Sequence, residues 1–137
     1  MEVAQLISTW SKDPSTKIGA VIVKDQQIIA TGFNGFPRGV EDAEERLNDR
    51  PTKYRFVVHA EENAILQAAR HGVSIKGATL YCWCDVPCER CMASLINAGI
   101  SRIVCLNRET PEMTKRWPRD VTYAMIKEAG VELIECP

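Results

Sequence analysis

The stretch ATLYCWCDVPCERCMASLINA, residues 78–98, decides the fold. Its first six residues, Ala78 to Trp83, are apolar, aromatic and β-prone, and predict a short strand. Pro87 marks a helix start, because its fixed φ suits the first turn and that turn has no use for its missing N–H. Met92, Leu95 and Ile96 then repeat at helical spacing, and Gly99 supplies the stop. A strand, a short loop and a buried helix in this order are one step of an α/β domain. Cys82, Cys84, Cys88 and Cys91 crowd into ten residues of the stretch. Met1 to Trp10 show no basic segment followed by a long apolar run, so no secretory signal is expected. In a reducing compartment such a cysteine cluster points to metal rather than to disulfides.

Working outward, Val3 to Trp10 has helical spacing and is broken by Ser11–Lys12–Asp13–Pro14–Ser15. Ile18 to Val23 and Ile28 to Thr31 predict two strands joined by a turn at 24–27. Gly32 to Gly39 is a glycine-punctuated loop. Residues 41–55 are densely charged and predict a surface insertion with one helical turn. Ala60 to Arg70 predicts a buried helix ending near His71–Gly72. Beyond the quoted stretch, Arg102 to Leu106 predicts a strand, 118–129 a helix, and Val131 to Glu135 a last strand. The order α-β-β-α-β-α-β-α-β predicts one α/β domain, residues 1–137, with helices covering about five strands.

Composition narrows the function classes. The 137 residues carry 17 basic and 18 acidic side chains, a net charge of −1. That balance argues against a duplex-binding protein, which shows a basic excess or stripe. A small anionic substrate needs only a few placed cations. No apolar run approaches the ~20 residues of a membrane span. The expectation is a cytoplasmic protein with no nucleic-acid or membrane partner.

His59–Ala60–Glu61 opens one helix and Pro87–Cys88–Glu89–Arg90–Cys91 opens the other. Cys88 and Cys91, three apart, share a helix face. Two thiolates and an imidazole are three zinc ligands, and the fourth position of such a site is left for water, as in catalytic rather than structural zinc sites. The metal and two helix N-termini would lower the pKa of that water toward about 7. Glu61, two residues past His59, can reach the water without ligating the metal and can carry its protons. Alone, a C-x-x-C is a redox pair or half a zinc knuckle, and a histidine before a helix is a capping residue. Cys82 and Cys84 alternate with Trp83 and so share a face of the strand. A second zinc there needs further ligands, and the other histidine, His71, lies at a helix end; the pair is read as small buried hydrophobes.

Together, H-x-E and P-C-x-x-C match the signature of zinc nucleobase deaminases. Residues 13–23, 31–39, 58–65 and 79–91 resemble the deoxycytidylate (dCMP) deaminase family, part of the zinc-dependent cytidine/deoxycytidylate deaminase superfamily. The resemblance runs from about residue 3 to 135. Its most telling parts are the Gly32–Phe33–Asn34–Gly35 loop with Pro37 and Gly39, and the 23 residues between Gly35 and His59.

The resemblance implies a three-layer cytidine-deaminase-like fold: a mixed sheet of about five strands with helices on both faces. It implies hydrolytic deamination of dCMP to dUMP by zinc-activated water, feeding thymidylate synthesis. His59, Cys88 and Cys91 would hold zinc, and Glu61 would shuttle protons. Asn34 would hydrogen-bond the sugar, and the backbone around Ala60 would read the pyrimidine edge. Residues 36–58 lack the Cys and His that hold a second zinc in some members, so one zinc per chain is expected. Many members are homo-oligomers, often hexamers, activated by dCTP with Mg2+ and inhibited by dTTP. Their effector site maps to the loop with Gly32, Asn34, Gly35 and Arg38. Lys17, Arg38 and Arg108 are candidates for the 5′-phosphate. Trp83–Cys84–Asp85–Val86 departs from the Thr-rich strand end of the family and would reshape the pocket wall. Other cytosine nucleotides (dCTP, 5-methyl-dCMP) and a tRNA adenosine are alternative substrates. A structural-zinc module without turnover is the alternative outside enzymes, and Glu61 speaks against it, since a structural site has no use for an acid/base beside it.

Overall fold

The computed structural model describes residues 1–108, 115 and 118–137. Its elements are α1 (Glu2–Ser8), β1 (Gly19–Lys24), β2 (Gln27–Phe33), α2 (Glu44–Asn48), α3 (Arg50–Phe56), α4 (Ala60–Arg70), β3 (Thr79–Cys82), α5 (Glu89–Asn97), β4 (Arg102–Leu106), α6 (Asp120–Ala129) and β5 (Glu132–Cys136). The five strands lie in the order β2-β1-β3-β4-β5. β1 pairs antiparallel with both β2 and β3, while β3–β4 and β4–β5 are parallel, so the sheet is mixed. The β1–β2 turn holds Asp25 and Gln26 at φ 50° and 62°. Two positive φ values in a two-residue hairpin make the turn whose twist matches the flanking strands.

The period-2 pattern of the strands sorts the two faces. Ala20 and Ile22 of β1, Leu80 and Cys82 of β3, and Ile103 and Cys105 of β4 pack with Ala60, Ala64 and Ala68 of α4, Met92 and Leu95 of α5, and Ile126 of α6. On the opposite face Val21, with Val23, Tyr81 and Trp83, packs against Ala4 and Ile7 of α1. Helices therefore cover both faces, giving the expected three layers. The small side chains of α4 let it approach the sheet closely: a Cβ on Gly32 of β2 would overlap the backbone of Ala60 and Ala64.

Two expectations change. α1 ends at Ser8, and Trp10 lies beyond it, exposed, with its ring edge against Phe33 at 6.2 Å. The insertion holds two helices rather than one turn, and it is not merely surface. Asp49 caps α3 by accepting a hydrogen bond from the Thr52 N–H at 3.1 Å. Phe36 and Phe56 pack ring to ring at 5.5 Å, and Arg46 lies over Phe56. A two-way backbone bridge between Gly35 and Val58 pins the ends of the insertion together. Closed in this way, it presents α3 to the cleft described next.

Candidate active site and zinc centre

α4 and α5 start side by side at one edge of the sheet. His59 is the residue before α4 and Cys88 the residue before α5, both in extended backbone. Cys91 sits in the first turn of α5 and is buried. The His59 Nδ1 lies 3.5 Å from the Sγ of both Cys88 and Cys91. Tetrahedral zinc with Zn–N near 2.1 Å and Zn–S near 2.3 Å requires an N···S separation of about 3.6 Å. The geometry thus fits the ion, and the chemistry of two thiols and an imidazole matches it.

The electrostatics agree. The Cys88 thiol is lowered to about 4. A hydrogen bond from Cys91 is the main cause, burial opposes it, and His59 helps. Cys91 is pushed up, because it donates to Cys88 and is buried. His59 is raised, chiefly through its hydrogen bond to Cys88, against the opposing effect of burial. All three groups are held in mutual contact, ready to exchange their protons for a cation.

Glu61, in the first turn of α4, is 3 % exposed. Burial raises its carboxyl above the ordinary range, and nearby His59 opposes that shift. Its Oε2 has no hydrogen-bond partner among the described residues. A carboxylate oxygen left unpaired in a buried wall is costly unless something reacting comes to meet it.

A cleft of about 460 Å³ opens over this centre. Ile18, Asn34, Val57, His59, Glu61, Cys84, Val86 and Cys88 line it near the metal residues, while Asp13, Thr16, Arg50, Lys53 and Tyr54 lie on its insertion side and Asp85 and Arg119 complete the wall. Asn34 reaches it, buried, but both ends of its amide are committed: Oδ1 accepts from Ile18 N–H at 2.8 Å and Nδ2 donates to Thr16 C=O at 2.8 Å. Its first task is to hold the 16–18 segment. Ala60 is fully buried under Gly32.

The three phosphate candidates lie elsewhere. Lys17 is exposed and off the lining, because its neighbours Thr16 and Ile18 turn inward. Arg38 is exposed in its loop and also off the lining. Arg108 stacks over Trp83 at 4.6 Å, and its backbone N–H donates to Asp85 Oδ1 at 2.7 Å. The cleft draws its cations from Arg50, Lys53 and Arg119 instead. Lys53 is paired with Asp13 at 3.0 Å and Arg119 with Asp85 at 3.2 Å. Sequence reasoning singled out none of the three: Arg50 and Lys53 fell among the charges of the 41–55 segment, and Arg119 at the start of the 118–129 helix carried no motif. A lysine inside an amphipathic turn is a weak signal, and a partner 40 residues away cannot be read from spacing.

The profile of the cytidine and deoxycytidylate deaminase zinc-binding region matches residues 1–107. The chain belongs to that family. Within it, the chain is 41% identical over 138 residues to an uncharacterized deaminase from the luxG 3′ region of Aliivibrio fischeri, covering 99% of this chain and 90% of that one. It is 36% identical over 116 residues to the human deoxycytidylate deaminase, covering 78% of this chain; the match spans 62% of the human enzyme's length. Among solved structures, the dCMP deaminase of cyanophage S-TIM5 in complex with dCMP and dUMP superposes with a TM-score of 0.76 at 29% identity, covering 98% of this chain and 91% of that one. The family's zinc-binding region contains His59, Glu61, Cys88 and Cys91 of this chain.

Proposed function

We propose that the chain deaminates dCMP to dUMP. The observation that carries this reading is the pairing of a three-ligand zinc geometry with an orphaned, buried carboxylate at the floor of a nucleotide-sized cleft. The mammalian and phage relatives named deoxycytidylate deaminase, and the cyanophage enzyme bound to dCMP and dUMP, support the choice of nucleotide.

His59, Cys88 and Cys91 would hold the zinc, one ion per chain, which supplies Lewis acidity and an acidified water. The pyrimidine is seated with its amino-bearing carbon toward His59, Cys88 and Cys91, in the cleft that Val57 and Val86 help to line. Glu61 accepts one proton of the attacking water and passes it to the ring nitrogen, then takes the remaining proton of the added hydroxyl and delivers it to the amino group, which departs as ammonia. A raised carboxyl pKa suits that two-way traffic, because the same group must both take and give. Burial of Glu61 also excludes bulk water from the transfer.

The exposed guanidinium of Arg50, with the hydroxyl of Thr16, grips the 5′-phosphate at the mouth. Among the described lining residues, Arg50 is a cation that no carboxylate pairs, whereas Lys53 and Arg119 are neutralised in place. Asn34 and the backbone near Ala60 border the sugar and base. The chain works as a homo-oligomer in the cytoplasm. Val3 and Leu6 of α1, with Trp10 just beyond it, leave an apolar stripe exposed, which supports association. Gly32 near the end of β2, with Asn34, Gly35 and Arg38 in the loop that follows, mark where a dCTP–Mg2+ or dTTP effector would act.

Ammonia release from dCMP, beside deoxycytidine, CMP, dCTP and 5-methyl-dCMP, tests the reading. dCMP should turn over fastest. Faster turnover of another nucleotide would retain the chemistry and replace the substrate.

A further inference from the structure

Cys82 and Cys84 lie outside the zinc centre, and spacing along the chain offers no third ligand for them. The fold supplies one. β3 ends at Cys82, and the chain bends at Trp83, so the two thiols converge to 2.9 Å. Both turn to the helix side of the sheet, where α4 begins. There the Cys82 Sγ, the Cys84 Sγ and a Glu61 carboxylate oxygen lie within 4.8 Å of one another. Cys82 is fully buried, whereas Cys84 is half-buried and lines the cleft, which gives an ion a way in. Glu61, buried beside them, contributes an Oε2 with no hydrogen-bond partner among the described residues.

We infer that these three side chains form a second site for a thiophilic divalent cation, beside the first and sharing its acid/base residue. Zinc or cadmium suits two sulfurs and one oxygen, with a cleft water as fourth ligand. Two thiolates on one zinc stand about 3.8 Å apart. The sulfurs must therefore open by roughly 1 Å, a small side-chain rotation that breaks the weak contact from Cys84 Sγ to Asp85 C=O at 3.0 Å. The balance is simple: the ion enters, both thiols release their protons to solvent, and the Glu61 carboxylate becomes a ligand. Glu61 can then no longer move protons for the substrate, so the second ion inhibits. Cation binding needs only the cluster; the inhibition rests on the deaminase reading.

The test uses protein loaded with one zinc per chain and then exposed to excess Zn2+. Native mass spectrometry counts the ions, and ammonia release from dCMP is read on the same samples. The expected result is a second bound ion, with activity falling as that ion binds and recovering on brief chelation while the first ion stays. Cys84→Ser and Cys84→Ala should keep the first ion and lose the second. Their half-inhibiting zinc concentration should rise by about tenfold or more, as for loss of a metal-site contact. Binding of one ion only by the wild type, or equal binding of a second ion by both Cys84 variants, would overturn the site. A Cys84-dependent second ion in a protein inert toward dCMP would uphold the site and remove the proposed substrate.

Discussion

Lys53 Nζ lies 3.0 Å from Asp13 Oδ2, with the two side chains 5% and 7% exposed. This ion pair joins α3 of the insertion to the turn before β1, and so closes the cleft on the side away from the metal. Asp13 also accepts hydrogen bonds from the Ser15 and Thr16 N–H groups at 2.8 and 3.1 Å. Removing one partner leaves the other charge buried and alone. Lys53→Met should therefore destabilise the fold by about 3–5 kcal/mol. Urea unfolding would measure it, and a loss under ~1 kcal/mol would show the pair to be dispensable.

The same pair sets an acid response. Burial pushes the Asp13 carboxyl up, but the Ser15 and Thr16 N–H groups and Lys53 outweigh it, and the net shift is downward from 3.8. A folded pKa below the unfolded one means stabilisation that is fully present above pH ~4 and lost as pH falls through the folded value. Asp13→Asn should flatten stability against pH below about 4, while lowering it at neutral pH. Melting temperatures from pH 7 down to 3 would show whether the two curves converge.

Glu61→Gln keeps the shape of the side chain and discards its proton traffic. Zinc content should stay at one per chain, and kcat should drop by ~10²–10⁴ or more. Because burial disfavours the charged carboxylate, the variant should melt no lower than the wild type. Retention of a tenth of the wild-type kcat would remove Glu61 from the role assigned to it.

Cys88→Ser and Cys91→Ser each remove a thiolate from the metal and should release zinc, as elemental analysis after dialysis would reveal. A variant that kept its ion in full would contradict the ligand set.

At the mouth, Arg50→Ala should raise KM for dCMP by about 10- to 100-fold, the worth of a charged hydrogen bond. Deoxycytidine, which has no phosphate, should respond little. Lys17→Ala should change neither, because Lys17 lies off the cleft lining. Equal effects of Arg50→Ala on nucleotide and nucleoside would refute phosphate contact.

The candidate zinc ligands and proton carrier are legible in the amino-acid sequence because they are local. His59 and Glu61 share one helix start, Cys88 and Cys91 share another, and each spacing has chemical meaning within four residues. Strand and helix periodicity likewise reveals the five strands and the helices that cover them. What escapes such a reading is everything made by contact across the chain. Lys53 and Asp13 are 40 residues apart; Asp85 and Arg119 sit in different segments with no shared pattern. Glu61 and Cys84 are brought together only because α4 starts where β3 bends. Spacing along a helix or strand is set by bond geometry, so the sequence by itself determined the candidate metal ligands, the candidate proton carrier and the succession of strands and helices. Which charges are buried and paired, and which cation is left without a carboxylate at the cleft, depends on how the insertion folds back over the sheet. Only the tertiary structure decided that, because burial changes the cost of a charge and belongs to no single segment.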